Sequence, residues 1–287
     1  MGYPMLDFSK LLLPIDLREP SLAAIRQAAV LARHFHSEIV ILHTIRPFSY
    51  LGLHGEELAE TLRQEKGAVD AMLEPELAGL STRRVVVKGD PAQAIVETAL
   101  EENTGAIVVG PHARTGLAGR LMGSVTENIL SAAECPIWSC GDLAENGEEG
   151  GPGLPLHRVM CGVDLTPSDL DTVRWASEVV AEFGARLTLV HVTPGVEIYG
   201  PGGYHEITEL KQDLMSVAAR RMHKLLEETG VTAETLIGSG DVAKVLNDAA
   251  QQHGAELLVI GRRPSAGMLG GHCYAIICRL SVPVLAV

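Results

Sequence analysis

Aromatic residues are scarce in this chain: four Phe, five Tyr and two Trp amount to 4% of 287 residues. Any core has to be built from Val, Leu, Ile and Ala, and an apolar fraction of 46% supplies enough of them. Positive charge is also short. Twenty-three Lys and Arg stand against 36 Asp and Glu, for a formal net charge of −13. Nucleic acid is excluded as a partner, because phosphate-backbone binding needs clustered cations and no such cluster occurs. No apolar run approaches the length of a membrane span. The stretch from Met1 to Lys10 has no basic region leading into an apolar one, so the expected location is the cytoplasm, with no membrane partner.

Cysteines number five, at 135, 140, 161, 273 and 278, with no Cys-x-x-Cys among them. Cys135 with Cys140 and Cys273 with Cys278 share a spacing, yet the set reads as small buried hydrophobes of a reduced cytosolic protein, and no metal is expected. Catalytic motifs are missing as well. There is no Gly-x4-Gly-Lys-Ser/Thr, no Gly-x-Ser-x-Gly elbow and no His-Glu-x-x-His, so no catalytic residue is nominated.

What is present is a repeat. Residues 11–16 read LLLPID and residues 159–164 read VMCGVD; residues 39–43 read IVILH and residues 187–191 read LTLVH. Both pairs are offset by 148. VVVKGD ending at Asp90 matches LIGSGD ending at Asp241, and AIVVG ending at Gly110 matches LLVIG ending at Gly261, both offset by 151. CPIW around Pro136 matches VPVL around Pro283. Five matched segments in one order make the chain a duplication. The expected domains are 1–140 and 156–287, joined by a Gly/Pro/Glu-rich linker over 141–155.

The matched segments are short runs rich in Val, Ile and Leu, suited to strands buried on both faces of a parallel sheet. Helical period lies between them. Ser21 to Phe35 sets Leu22, Ile25, Ala29 and Ala32 on one face, and Asp90-Pro91 reads as an N-cap followed by proline at the first helical position. Strand and helix are expected to alternate five times per half, giving two tandem doubly wound α/β domains, each with a five-stranded parallel sheet and flanking helices. The closing strands, 136–139 and 282–287, are apolar edges. Pairing them would make an intramolecular pseudo-dimer of the two domains.

After the fourth strand of the first half comes a glycine-rich segment, Gly110 to Gly123, leading into a helix near Ser124. Ligands of doubly wound sheets sit outside the carboxyl ends of the strands, where the winding reverses. A glycine-rich loop feeding a helix N-terminus there suits phosphate. Asp16, ending the first strand, would face the same crevice and take a ribose hydroxyl or an adenine amine.

Here the chain resembles the universal stress protein family, whose nucleotide-binding members carry Gly-x2-Gly-x9-Gly-Ser/Thr after the fourth strand. Gly110, the nine-residue interval 114–122, Gly123 and Ser124 fit that pattern, while Ala113 replaces its second glycine. The run Gly-Ser-Val-Thr-Glu-Asn over 123–128, Pro14-Ile15-Asp16, and the Leu-His pair closing the second strand add to the likeness. The resemblance covers nearly the whole chain and implies a Rossmann-like fold related to that of the adenine nucleotide alpha hydrolases. It also implies ATP or another adenine nucleotide, with or without Mg2+, in the first domain only. By that resemblance Asp16 and Ile39 contact the adenosine end, with Pro14 and Ile15 beside them. Val109 and Gly110 line the nucleoside, and Gly123, Ser124, Val125 and Thr126 hold ribose and phosphates. Arg114 and Arg120 are phosphate neighbours by charge alone. Alanine at 113 costs roughly 1 kcal/mol if the backbone there needs a positive φ, and nothing otherwise.

The second half departs further. Gly261-Arg-Arg-Pro264 stands at the motif's opening, and Tyr274-Ala275, or Gly271-His272 in a shortened loop, at its close, so the small hydroxyl residue is missing. Asp164 survives, but no nucleotide is expected there. The ATP pyrophosphatases' Ser-Gly-Gly-x-Asp-Ser loop is absent after the first strand, which weighs against adenylating chemistry.

Several of these residues have plainer readings. Ser124 and Glu127 form a capping box, and Asp16 and Asp164 could cap the helices that follow them. His43 and His191 read as structural histidines. Glu56, Glu57, Glu60, Glu65 and Glu74 read as a solvated helix face, and residues 195–204 as a flexible loop at the second crevice. The functional alternatives are a nucleotide-regulated stress-response protein, a scaffold acting through protein contacts, a slow ATP hydrolase, and any of these as a homodimer.

Overall fold

The computed structural model describes residues 6–16, 22–45, 52, 55–110, 124–141, 153–195, 197–200, 203–206, 208–262 and 273–287. The chain divides into two compact units, Met1–Leu154 and Pro155–Val287.

In the first unit, β1 (Lys10–Ile15), α1 (Leu22–Phe35), β2 (Glu38–Ile45), α2 (Gly55–Leu77) and β3 (Thr82–Lys88) are followed by α3 (Pro91–Glu101), β4 (Ala106–Val109), α4 (Ser124–Ala132) and β5 (Ile137–Ser139). All pairings are parallel, in the order β3-β2-β1-β4-β5. The second unit begins with β6 (Arg158–Gly162), α5 (Asp169–Phe183) and β7 (Arg186–Thr193). It continues through β8 (Glu197–Gly200), β9 (Gly203–Glu206), α6 (Thr208–Thr229), β10 (Glu234–Ser239), α7 (Val242–His253), β11 (Leu257–Ile260), α8 (Cys273–Arg279) and β12 (Val284–Ala286). Its main sheet is likewise parallel, ordered β10-β7-β6-β11-β12.

Two expectations are corrected. Each unit has four helices among the described residues, in place of the expected strand–helix alternation repeated five times. The segment 195–204 is not simply a loop. Glu197–Gly200 and Gly203–Glu206 form an antiparallel ribbon with Tyr199 opposite Tyr204. Two β-prone tripeptides around a Pro-Gly pair carried that signal.

The apolar strands are covered on both sides. Leu11, Leu12 and Leu13 of β1 and Leu257 to Ile260 of β11 have no exposed surface, as two-sided burial in a parallel sheet requires. In the first unit α1 packs against α2 on one face and α3 against α4 on the other. The α1 face is largely alanine, with Ala24, Ala28, Ala29 and Ala32 buried beside Ile25 and Leu31, so the helix lies close to the strands. Three of the aromatics meet in the first unit. Phe8 meets Phe35 and Trp138 edge-on, with ring centroids 5.1 and 6.2 Å apart.

The duplication extends to hydrogen bonds. Asp90 caps α3 by accepting from the Gln93 amide (3.1 Å), and Asp241 caps α7 by accepting from the Lys244 amide (2.8 Å). The amide of Gly89 donates to the Ile45 carbonyl, and that of Gly240 to the Thr193 carbonyl. Cys140, Cys161 and Cys273 are buried, and none of the five cysteines is in a disulfide. Burial pushes the thiols of Cys140 and Cys161 well up and that of Cys273 to about 12, so they act as small hydrophobes. Among the described residues no helix is long and apolar enough to cross a membrane, and no cluster of three His, Cys, Asp or Glu could hold a metal.

Gly105 marks the tightest chain crossing. A Cβ there would stand 1.7 Å from the Asp7 carbonyl oxygen, so Gly105→Ala should cost about 3 kcal/mol in chemical denaturation. Asp90→Ala removes one cap and should cost about 1 kcal/mol in the same assay.

Candidate functional site

The switch point of the first sheet lies between β1 and β4, the adjacent strands from which the chain winds outward in opposite directions. Leu11 pairs with Ala106 and Leu12 with Ile107. Continued two and three residues further, this register sets Pro14 opposite Val109 and Ile15 opposite Gly110. Asp16 follows immediately and is exposed, whereas Val109 and Gly110 are buried. The structure thus brings Pro14, Ile15, Asp16, Val109 and Gly110 to one edge. The helix α4 connects β4 to its parallel neighbour β5, so it runs back against the strands and its N-terminus lies at this same edge. Ser124 opens the helix and is exposed, Val125 is half-buried, and Thr126 is 3% exposed, directed into the core. The expected site residues Ala113, Arg114 and Gly123, together with Arg120, lie outside the described residues.

Ile39 is not brought to the site. It is fully buried near the amino end of β2, opposite Leu11. Four residues separate it from the register of Ile15, roughly 13 Å along the strand. The residue of β2 that reaches the carboxyl edge is Thr44, half-buried, one position past His43. Nothing within an unbroken apolar run marks which residue falls at the strand's end, and the pairing register supplies that information.

His43 and His191 are structural, by the same bond in each unit. The Nδ1 of His43 donates to the Ile15 carbonyl at 3.1 Å, and that of His191 donates to the Val163 carbonyl at 2.8 Å. A carbonyl only accepts, so Nδ1 carries the proton in both. Each imidazole ties the second strand of its sheet to the end of the first, immediately before Asp16 or Asp164.

The second unit has the same frame, since β6 and β11 pair as β1 and β4 do, with Leu257 opposite Val159. Its crevice is organised by its own side chain. The Asp169 carboxylate accepts from the Asp164 amide (3.2 Å), the Thr166 amide (2.6 Å) and the Thr166 hydroxyl (3.3 Å). Leu165, between them, takes a left-handed backbone (φ 60°). The turn after β6 is therefore held by Asp169. A carboxylate one residue past the capping position Ser168 resembles any acidic residue in a helix's first turn, so the sequence concealed this role.

Asp169 is only 6% exposed. Burial raises its carboxyl above the usual range, outweighing the amide and hydroxyl donors that favour the charged form. Because the folded value exceeds the unfolded one, its contribution to stability is complete at low pH and declines as pH rises through the folded value. In Asp169→Asn that decline is absent. Denaturant midpoints measured from about pH 3 to about pH 6 should shift in the variant's favour relative to wild type, whatever their offset.

The Universal stress protein family matches residues 7–140 and again residues 155–287. A universal stress protein of Methanocaldococcus jannaschii is 30% identical over 136 residues, 45% of this chain and 80% of that protein. The universal stress protein YxiE of Bacillus subtilis is 27% identical over 143 residues, 45% of this chain and 97% of its own length. The crystal structure of a universal stress protein from Archaeoglobus fulgidus covers 98% of this chain and 98% of its own, with a TM-score of 0.68 and 22% identity. That likeness concerns the fold. The single-unit relatives account for half of the molecule and the family pattern occurs twice, so the chain belongs to the universal stress protein family as a tandem member.

Proposed function

We propose that this chain binds ATP or another adenine nucleotide in its first domain and serves as a regulatory stress-response protein, with no more than slow hydrolysis. The observation that carries the reading is the meeting of three features at the β1–β4 switch point: the Asp16 carboxylate, the strand end at Gly110, and the N-terminus of α4 headed by Ser124. A helix N-terminus offers unpaired amides and a positive dipole end to phosphate oxygens. A carboxylate beside it accepts from ribose hydroxyls or the adenine amine. Thr44 takes the place on β2 first given to Ile39. Magnesium, if present, would arrive with the phosphates.

The second domain works without nucleotide in this reading. Asp169 already occupies the backbone amides at its corresponding turn, and the serine that heads α4 has no counterpart there, since α8 opens at Cys273.

Adding ATP to the intact protein at a hundredfold excess over Kd should stabilise the first domain by about 2.7 kcal/mol, a midpoint shift of roughly 5 °C or more. Ser124→Ala and Asp16→Asn should each weaken binding about tenfold, while changes at Asp164 leave it unaltered. Denaturing the purified protein and identifying any released nucleotide is the companion measurement. No binding by wild type at millimolar ATP would reject the proposal and favour a scaffold that works through protein contacts.

A further inference from the structure

Beneath α2 lies a cavity of about 210 Å³, on the α1–α2 side of the first sheet. Its floor is Ile15, Ile41 and His43, and its roof is Val69 and Leu73 of α2. The origin of the gap is legible in the helix. Packing on a sheet repeats apolar residues at about every third and fourth position, and α2 supplies Leu62, Val69, Leu73 and Leu77 but places Lys66 where the stripe needs another. The lysine is exposed and lines the rim. It leaves unfilled the volume that a Leu or Ile would have occupied.

We propose that this cavity binds a compact aromatic monocarboxylate, its ring between sheet and helix and its carboxylate at Lys66. Three observations fix the class. The first is size: an apolar cavity of about 150 Å³ accepts benzene, so this one has room for a fused pair of rings. The second is shape. The floor is a pleated sheet, and the His43 imidazole in it is held by its bond to the Ile15 carbonyl, giving a fixed planar wall against which another ring can stack or meet edge-on. The third is charge. Of the two cations at the rim, Arg84 is paired with Asp70, while Lys66 has no ion-pair partner among the described residues. One unneutralised ammonium suits one carboxylate, and Asp70 repels a second. Val86, on the outer strand at the same rim, is 62% exposed, leaving an apolar approach open. The site lies across the sheet from α3 and α4 and meets the proposed nucleotide crevice only at Ile15, and it does not depend on that reading.

The probe is 2-naphthoate, titrated into the intact protein with methyl and amide NMR, beside its uncharged isostere 2-naphthamide. Binding should shift signals of Ile41, Val69 and Leu73. It should vanish in Val69→Phe, which fills the cavity, and Leu62→Trp at the rim gives the same readout should Val69→Phe fail to fold. Lys66→Gln should weaken naphthoate about threefold and leave naphthamide unchanged, the size of a partly screened surface pair. ATP should not displace the probe. The proposal is overturned by no binding at millimolar naphthoate, by undiminished binding in the folded cavity-filling variant, or by equal affinity for acid and amide.

Discussion

Everything in the first domain depends on the complete burial of the middle of β1. Leu11, Leu12 and Leu13 expose nothing, and a strand that is apolar on both sides needs a helix layer on each face and a hydrogen-bonded neighbour on each edge. Parallel neighbours β2 and β4 satisfy the edges, and the chain must then wind outward from β1 in both directions to provide the layers. A reversal of winding beside β1 follows. That reversal opens a crevice at the carboxyl edge, and Asp16, Gly110 and the start of α4 stand around it. The functional geometry is thus a by-product of covering three leucines.

The two halves keep this frame and differ in what fills its mouth. Pairing register, helix caps and the histidine–carbonyl bond repeat at constant offsets. These are the elements that core burial enforces. The turn after β6 is not under that constraint, and there a buried aspartate holds amides together internally. Duplication preserves what packing demands and releases what only a ligand would demand.

Much of this was legible in the sequence because the repeat compared the chain with itself. Apolar runs at matched offsets located all ten strands of the two main sheets, and Asp90-Pro91 announced a helix start that the Gln93 amide confirms. Ile39 failed for a physical reason. The apolar run 39–42 is uniform, and the residues that reach the carboxyl edge are the half-buried His43 and Thr44 beyond it, which the pairing register identifies. Asp169 was hidden because two of its three donors are backbone amides, which leave no side-chain pattern to read. The cavity under α2 escaped notice because Lys66, taken alone, is an ordinary surface lysine on an acidic helix.

The outer strand β3 has one more consequence. Its exposed backbone edge carries Arg83, Arg84 and Lys88 within seven residues, and Arg83 is held in place by Glu38 and Glu102. A second chain presenting its own β3 edge would have to desolvate these ion pairs and Lys88 before any ladder could form. Charged side chains along the outer strand thus oppose growth of the open sheet by self-addition.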